Sequence, residues 1–332
     1  MTVDLAGGYD LVIFDLDGVV YLIDKPIPGA VEAIERLRAR DTPVAYATNN
    51  ASRRAPQVAS LLTGMGVPAE PAEVLTSAGA AAAVLAEKLP AGAKVLVVGA
   101  DALRDEVKDA GLTPVGAVAD EPVAVVQGYG PEVGWRILAE ASLAVRAGAI
   151  WVATNTDRTL PSPRGPLPGN GSLVAVLRTA LDRDPDLVVG KPEPGLFTSA
   201  ASRAGAVRPL VVGDRLDTDI QGAVTAGVDS LLVLTGVSSP TDLLAADPAC
   251  RPTFVAADLS ALFRPAGEAV VPLRTADGWT VTRDGDGATL DGAGDPVVAL
   301  RLLCAVTWDG VAPSKIHPAS GAAAGLLKTW DL

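Results

Sequence analysis

The residues of this chain that could do chemistry sit directly behind short apolar runs. Leu11-Val12-Ile13-Phe14 leads straight into Asp15-Leu16-Asp17-Gly18. Two carboxylates so close together at the end of a buried strand are unfavourable unless a cation or a phosphate group uses them. Gly18 lets the chain turn sharply and aim backbone N–H groups at an anion. A solvated Asp-Gly turn is the plainer alternative for this segment alone. Leu210-Val211-Val212-Gly213 repeats the arrangement and runs into Asp214-Arg215-Leu216-Asp217-Thr218-Asp219. A hard divalent cation such as Mg²⁺ takes oxygen ligands and few protein carboxylates. Asp15 and Asp214 could supply them and leave room for water and a phosphate oxygen. Acids placed at a helix N-terminus for its dipole are the alternative, which suits Asp217 better than Asp214. Thr48-Asn49-Asn50 follows the apolar Pro43–Ala47, where a hydroxyl and successive amides make a phosphate cradle, a helix N-cap, or both. Gly190-Lys191-Pro192 adds a lysine that would offset crowded carboxylates and an incoming phosphate, or simply be surface charge.

Such groups need rigid elements to hold them. Aliphatic runs predict strands at Leu11–Asp15, Pro43–Thr48, Val95–Val98, Val123–Gln127, Ile150–Ala153, Leu187–Val189, Leu210–Gly213, Ser230–Leu234 and Thr253–Ala256. Apolar residues at helical spacing predict helices over Ala30–Arg40 and Pro56–Met65, with others at Ile220–Ala226 and near Pro296–Val306. Strands that are apolar throughout need cover on both faces, so the alternation predicts an α/β fold built from crossover units around parallel sheets. In such sheets the loops leaving the C-terminal strand ends form the ligand crevice. The aspartates, the Thr-Asn-Asn triplet and the lysine all fall there. Ser77–Gly79 and the loop Pro161–Ser172 suggest boundaries, and after Phe263 the composition shifts to a Gly/Asp-rich, weakly patterned Arg264–Gly294.

Composition narrows the function further. A chain of 332 residues exceeds one domain of about 150, and 49% hydrophobic side chains suffice for buried cores. With 27 basic against 39 acidic residues the net charge is −12, which repels phosphate backbones and acidic lipid; a general role on nucleic acid or membrane surfaces is excluded. Two cysteines, Cys250 and Cys304, rule out a disulfide scaffold, and the lone His317 removes histidine-dependent triads and His-rich zinc sites. No apolar run reaches the roughly 18 residues of a membrane span, and Met1–Gly8 shows no basic apolar leader. A cytoplasmic protein is the expectation.

Taken in order, Asp-x-Asp-Gly, Thr-Asn-Asn, Gly-Lys-Pro and Gly-Asp-x-x-x-Thr-Asp-Ile resemble the haloacid dehalogenase (HAD) superfamily of phosphohydrolases. The 142-residue separation of Asn49 and Lys191 matches the NagD-like branch, which inserts a large α/β cap between the second and third motifs. That branch includes sugar, phosphoglycolate, pyridoxal phosphate and glycerol 3-phosphate phosphatases. The resemblance implies a doubly wound, Rossmann-like parallel-sheet core at 10–77 and 190–263, a cap at 78–189 and a C-terminal extension at 264–332.

The resemblance also implies roles. Asp15 would be the nucleophile that forms an aspartyl-phosphate, and Asp17 the general acid and base. Mg²⁺ would be held by Asp15, the Asp17 backbone carbonyl and Asp214, with Asp219 behind them. Thr48, Asn49, Asn50 and Lys191 would bind the phosphoryl group. Asp17 separates phosphatases from the dehalogenases, which lack a second aspartate. In the cap, Asn155 and Asp157 are candidate contacts for substrate hydroxyls, or members of an Asx-turn. A cap closing over a small pocket favours a small phosphorylated metabolite. The extension looks like that of actinobacterial-type glycerol 3-phosphate phosphatases, described as acetyltransferase-like. Glycerol 3-phosphate is therefore the expected substrate; the alternatives are a phosphatase for another small phosphate (phosphoglycolate, pyridoxal phosphate, a sugar or nucleotide monophosphate) and a regulatory binding protein retaining the fold. Beyond Ala269 the extension has no Arg/Gln-x-x-Gly-x-Gly/Ala phosphate loop for acetyl-CoA; the one match to that spacing, Arg264–Ala269, stands at its very start. Its Trp279, Leu300, Leu302, Leu303, Trp308 and Trp330 suggest apolar packing onto the core or onto a second subunit of a homodimer, and His317 is incidental.

Overall fold

Uninterrupted apolar strands become buried strands. Every residue of Leu11–Phe14 and of Val44–Thr48 is buried, as parallel sheets covered on both faces require. All nine predicted strands form, within a residue or two of their expected bounds. The computed structural model describes residues 3–310 and 312–332. Met1 and Thr2, part of the stretch expected to carry no leader, and Val311 lie outside the described residues. The chain divides into two compact units.

The first unit takes the chain up to Val20, then Ile27–Pro43 and Val207–Leu332. Its strands Phe254–Ala256, Asp229–Val233, Pro209–Gly213 and Leu11–Phe14 lie side by side in that order, all parallel. Phe14 stands opposite Val212, and Val212 opposite Leu231. Helix Ala30–Arg38 buries Ala30, Ala33, Ile34 and Leu37, the apolar stripe its spacing predicted.

The second unit is Tyr21–Pro26 with Val44–Ala206. Val44–Thr48 pairs in parallel with Val74–Thr76. A separate parallel sheet has the order Leu187–Val188, Ile150–Ala153, Ala124–Gln127, Lys94–Val98, Thr113–Val115. Its pleat divides the side chains between two cores. Val95, Val97, Val126 and Val152 join Leu85 and Val107 in one. Leu96, Val98, Val125 and Trp151 join Leu138, Val145 and Leu177 in the other. Both faces of this sheet are therefore covered, which explains strands with no polar alternation. Ser77–Gly79, expected to mark a boundary, is the first turn of helix Ser77–Lys88, and the Thr76 hydroxyl caps it by accepting from the Gly79 N–H at 3.1 Å.

Residues 264–294 are better ordered than their weak pattern suggested. Trp279–Asp284 and Gly287–Gly292 form an antiparallel hairpin, and Ile316–Pro318 adds a parallel third strand in which His317 stands opposite Thr289. The pattern was hidden because Trp279 alone is fully buried on the first of these strands. Asp284-Gly285-Asp286-Gly287, with Gly285 at φ +59°, is the turn signal that marks it.

The extension packs onto the core of its own chain. Trp279, Leu300, Leu302 and Leu303 share one buried cluster with Ile220, Leu232, Leu243 and Val255, and Trp308 and Trp330 pack against it. The Trp308 indole N–H donates to the Leu243 carbonyl at 3.1 Å, and the Thr241 hydroxyl to the Trp330 carbonyl at 2.6 Å. Arg301, on helix Pro296–Thr307, is buried; its guanidinium donates to the carbonyls of Gly267, Glu268 and Val270 at 2.6–2.7 Å. Burial lowers its pKa, and three carbonyl partners offset the desolvation of the cation. The edge strand Phe254–Ala256 is met by residues 269–271: Val255 N–H donates to Ala269 and Val271 N–H to Thr253. Among the described residues no helix is long and apolar enough to cross a membrane.

Candidate active site

The first unit gathers acids that lie about two hundred positions apart in sequence. Asp15 follows the strand Leu11–Phe14 and Asp214 follows Pro209–Gly213. Because Phe14 pairs with Val212, both chains leave the sheet at the same end. The Asp15 N–H continues the ladder by donating to the Val212 carbonyl at 2.8 Å. Asp15, Asp214 and Asp219 are all buried, and each offers a carboxylate oxygen within 4.8 Å of the others'. Neighbouring strands are about 4.8 Å apart, so the sheet brings Asp15 and Asp214 side by side, and the turn after Arg215 supplies Asp219.

Asp219 arrives by a tight local path. The chain after Arg215 winds as a single wide turn, Leu216–Ile220, before helix Gln221–Ala226. The expected helix start at Ile220 is thus preceded by a π-type turn, a feature frequent at functional sites. One Asp219 carboxylate oxygen accepts the backbone N–H groups of Asp214 and Arg215 at 3.2 and 3.1 Å, fixing the chain where it leaves the strand. A Cβ on Gly213 would lie 2.2 Å from the Asp219 Cβ, so only glycine fits there.

Asp214 is held by a segment that the motifs did not single out. Val237 N–H donates to Asp214 Oδ2 at 2.7 Å and Ser238 N–H to its carbonyl at 3.0 Å. The Thr235 hydroxyl donates to the Gly18 carbonyl at 2.6 Å. Gly18, at φ +86°, and Gly236 crowd the same carboxylate: added Cβ atoms would stand 2.5 and 1.9 Å from Asp214 Oδ2. The available signal was Thr235-Gly236 following a predicted strand of this sheet. Asp17 is half-buried and lies outside the three-carboxylate group. Buried carboxylates without nitrogen or sulfur ligands, seated against glycine backbone, are the donor set of a small hard cation, so the residues present fit Mg²⁺.

In the second unit, Thr48 closes its strand and its Oγ1 accepts the Asn50 N–H at 3.0 Å, while Asn50 Oδ1 accepts both the N–H and the hydroxyl of Ser52. The Asn49 side chain reaches Lys191 and Asp157. Its Nδ2 donates to the Lys191 carbonyl and to Asp157 Oδ1, each at 3.1 Å, and its Oδ1 accepts the Lys191 N–H at 2.8 Å. Lys191 is buried, and its Nζ donates to the Ala47 carbonyl at 3.2 Å. Asn155 is buried too; its amide donates to the Asn49 carbonyl at 2.6 Å and its Oδ1 accepts the Asp157 N–H at 3.1 Å, the Asx-turn alternative. Asp157 is the more open of the two cap candidates.

Two buried residues that the sequence reading passed over brace this loop. Asn170 opens helix Asn170–Leu181 and donates from Nδ2 to the carbonyls of Asn155 at 2.8 Å and Gln127 at 3.2 Å. The Gln127 Oε1 accepts the Trp151 indole N–H at 3.0 Å. Asn170 sits inside the Gly/Pro-rich stretch Pro161–Ser172, which also resembles the family's cap loop, and a buried amide there leaves no periodic trace.

Comparison with known proteins accounts for this arrangement. A haloacid dehalogenase-like hydrolase family model matches residues 12–113, and a HAD-hydrolase-like model matches 188–262. A GCN5-related N-acetyltransferase-like model matches 276–332. The D-glycerol 3-phosphate phosphatase of Mycobacterium tuberculosis is 43% identical, over 99% of this chain and 96% of that protein. An acid sugar phosphatase of Staphylococcus aureus is 38% identical over 71% of this chain and 90% of its own length. Among solved structures, the M. tuberculosis glycerol phosphate phosphatase in complex with magnesium is 44% identical with a TM-score of 0.92, covering 99% of both chains. A 4-nitrophenylphosphatase of Thermotoga maritima is 32% identical with a TM-score of 0.72, over 78% of this chain and 97% of that one. With a relative this similar along nearly its whole length, and with its acids placed by a parallel α/β sheet, the chain belongs to the haloacid dehalogenase-like hydrolases.

Proposed function

We propose that this protein is a Mg²⁺-dependent phosphatase that hydrolyses glycerol 3-phosphate to glycerol and phosphate. The observation that carries the reading is the buried group Asp15, Asp214 and Asp219 at one end of a parallel sheet. It is supported by likeness along the full chain to a protein named for that substrate.

In this reading a carboxylate oxygen of Asp15 attacks phosphorus in line while the bond to the leaving alkoxide breaks, giving an aspartyl-phosphate. Asp17 gives its proton to the departing oxygen. It then takes a proton from the water that attacks the phosphoenzyme, which releases phosphate and restores Asp15. Asp15, the Asp17 carbonyl and Asp214 would hold Mg²⁺, with Asp219 fixing the backbone of Asp214. When bound, the ion supplies positive charge that lets a phosphate dianion approach a carboxylate in a chain of net charge −12. The Thr48 hydroxyl, backbone amides of Asn49 and Asn50, and Lys191 take the phosphoryl oxygens and steady the charge that builds on them. Asp157 accepts from a hydroxyl of the alcohol.

The domain division belongs to the same proposal: core at 10–77 and 190–263, cap at 78–189, extension at 264–332. The five-stranded sheet, whose strands run from Lys94 to Val188, supports a cap of that extent. A cytoplasmic location, the absence of nucleic acid among its partners and a homodimer, to be read by light scattering, belong to the same proposal. Phosphate release from a panel of monoesters with Mg²⁺ tests the function: glycerol 3-phosphate, phosphoglycolate, pyridoxal phosphate, sugar phosphates and nucleotide monophosphates. Glycerol 3-phosphate is expected to give the highest kcat/KM, and Asp15→Asn to lower turnover by about a thousandfold or more. Undiminished turnover in that variant refutes the mechanism.

A further inference from the structure

Asn49 was expected to touch the phosphoryl group, and its side chain is committed elsewhere. An asparagine amide has two N–H donors and one carbonyl oxygen. Here both Nδ2 contacts and the Oδ1 contact go to the protein: Asp157 Oδ1, the Lys191 carbonyl and the Lys191 N–H. The Asn49 main-chain carbonyl is engaged as well, accepting the Ser77 hydroxyl and the Asn155 amide, each at 2.6 Å. The next segment is built around the same amide. A Cβ on Gly190 would lie 2.5 Å from Asn49 Oδ1, so the chain before Lys191 has no side chain that could part them. One buried amide thus fixes the main chain of the residue assigned to phosphate and the carboxylate assigned to the alcohol.

We propose that Asn49 is a positioning residue that sets Asp157 and Lys191 in one frame, so that a hydroxyl of the alcohol is recognised at a fixed distance from its phosphate. The proposal rests on the phosphatase reading above. Its substrate class is the monophosphates of short polyols, in which hydroxyl and phosphate are a few bonds apart. Selectivity follows from rigidity. If Asp157 could move independently of Lys191, a substrate would have to order it on binding, and esters with and without the hydroxyl would be treated more alike. Asn155 assists through its Oδ1, which accepts the Asp157 N–H, and Asn170 holds the Asn155 carbonyl.

The test compares kcat/KM for glycerol 3-phosphate with that for n-propyl phosphate, an ester of the same carbon count without the hydroxyls, in wild type, Asn49→Ala, Asp157→Ala and the double variant. The ratio is expected to fall by about tenfold in Asn49→Ala and by a similar factor in Asp157→Ala. The double variant is expected to fall no further, because the two act as one unit. Asn49→Asp, which keeps the volume and the acceptor for the Lys191 N–H but removes the donor to Asp157, is expected to lose the same ratio, and it serves if Asn49→Ala does not fold. A ratio unchanged in both Asn49 variants, with both esters slowed in proportion, makes Asn49 merely structural and overturns the proposal. So does an additive double variant. A wild-type chain inert toward both esters sinks the phosphatase reading itself; an active one indifferent to Asn49 sinks this inference alone.

Discussion

Gly236→Ala is the most exacting perturbation of the site, because it changes no charged group. A methyl carbon there would stand 1.9 Å from Asp214 Oδ2, 2.5 Å from Cγ and 2.7 Å from Cβ, where ordinary contact begins at 3.4 Å. The carboxylate or the backbone must therefore yield by about 1.5 Å, the shortfall between the first and last of these distances. Asp214 has little room to do so, since Val237 N–H holds its Oδ2 and Ser238 N–H its carbonyl. Overpacking of this kind costs about 2 kcal/mol of stability. Disturbing a group that orients a metal ligand typically weakens the metal or the activity by about ten- to a hundredfold. The assay is phosphate release from glycerol 3-phosphate against Mg²⁺ concentration, with thermal melts in the presence and absence of the ion. Half-saturation is expected to move up by at least about tenfold, with turnover partly recovered at high Mg²⁺. Gly267→Ala is the control, because a Cβ there meets nothing within 4 Å. Wild-type Mg²⁺ dependence in a folded Gly236→Ala protein would refute the claim that Asp214, held by this loop, is a ligand.

Three further outcomes follow from the packing. Arg301→Met leaves three carbonyls without their buried donor and is expected to lower unfolding free energy by about 3 kcal/mol, read from urea midpoints. A midpoint within error of wild type contradicts this. The Val207 and Arg208 N–H groups, donating at 2.9 and 2.8 Å, hold the Asp10 carboxyl below its ordinary range. Such a depressed group stabilises fully above its unfolded value near 3.8 and stops doing so as pH falls through its folded value. Asp10→Asn should therefore melt below wild type at neutral pH, with the gap closing in acid; a gap that widens there refutes the assignment. Ending the chain at Arg264 re-exposes Leu232, Leu243, Leu244 and Val255. At about 2 kcal/mol each, these match the whole net stability of an ordinary domain, so the shortened protein should precipitate or melt far lower, and an unchanged melting temperature would show the packing to be dispensable.

Much of this was legible in the sequence because the parallel sheets are buried on both faces. Their strands had to be written as apolar runs, and the polar residues that follow such runs, Asp15, Thr48, Lys191 and Asp214, stood out against them. What stayed hidden was what positions them. Gly236 and Gly213 act through a missing side chain, and Asn170 at a helix start and Gln127 at a strand end through buried amides; neither leaves a period or a charge pattern to read. The loop that holds Asn49 was legible, but not the partners of its side chain, Asp157 and Lys191, since spacing does not say what a side chain will meet. The hairpin at Trp279–Gly292 was missed because most of its first strand faces solvent.

The division of the chain also sets an order of assembly. All strands of the five-stranded sheet lie within Val44–Ala206, so that block can close as soon as it emerges from the ribosome. The strand Leu11–Phe14 is made before it, yet its neighbour Pro209–Gly213 comes only afterwards, and the cluster that covers Leu232 and Val255 of the same sheet is completed only by Leu327. The segment that carries Asp15 therefore waits for a partner strand made about two hundred residues later. Until then one edge of that apolar strand is left unpaired, the kind of segment that chaperones hold.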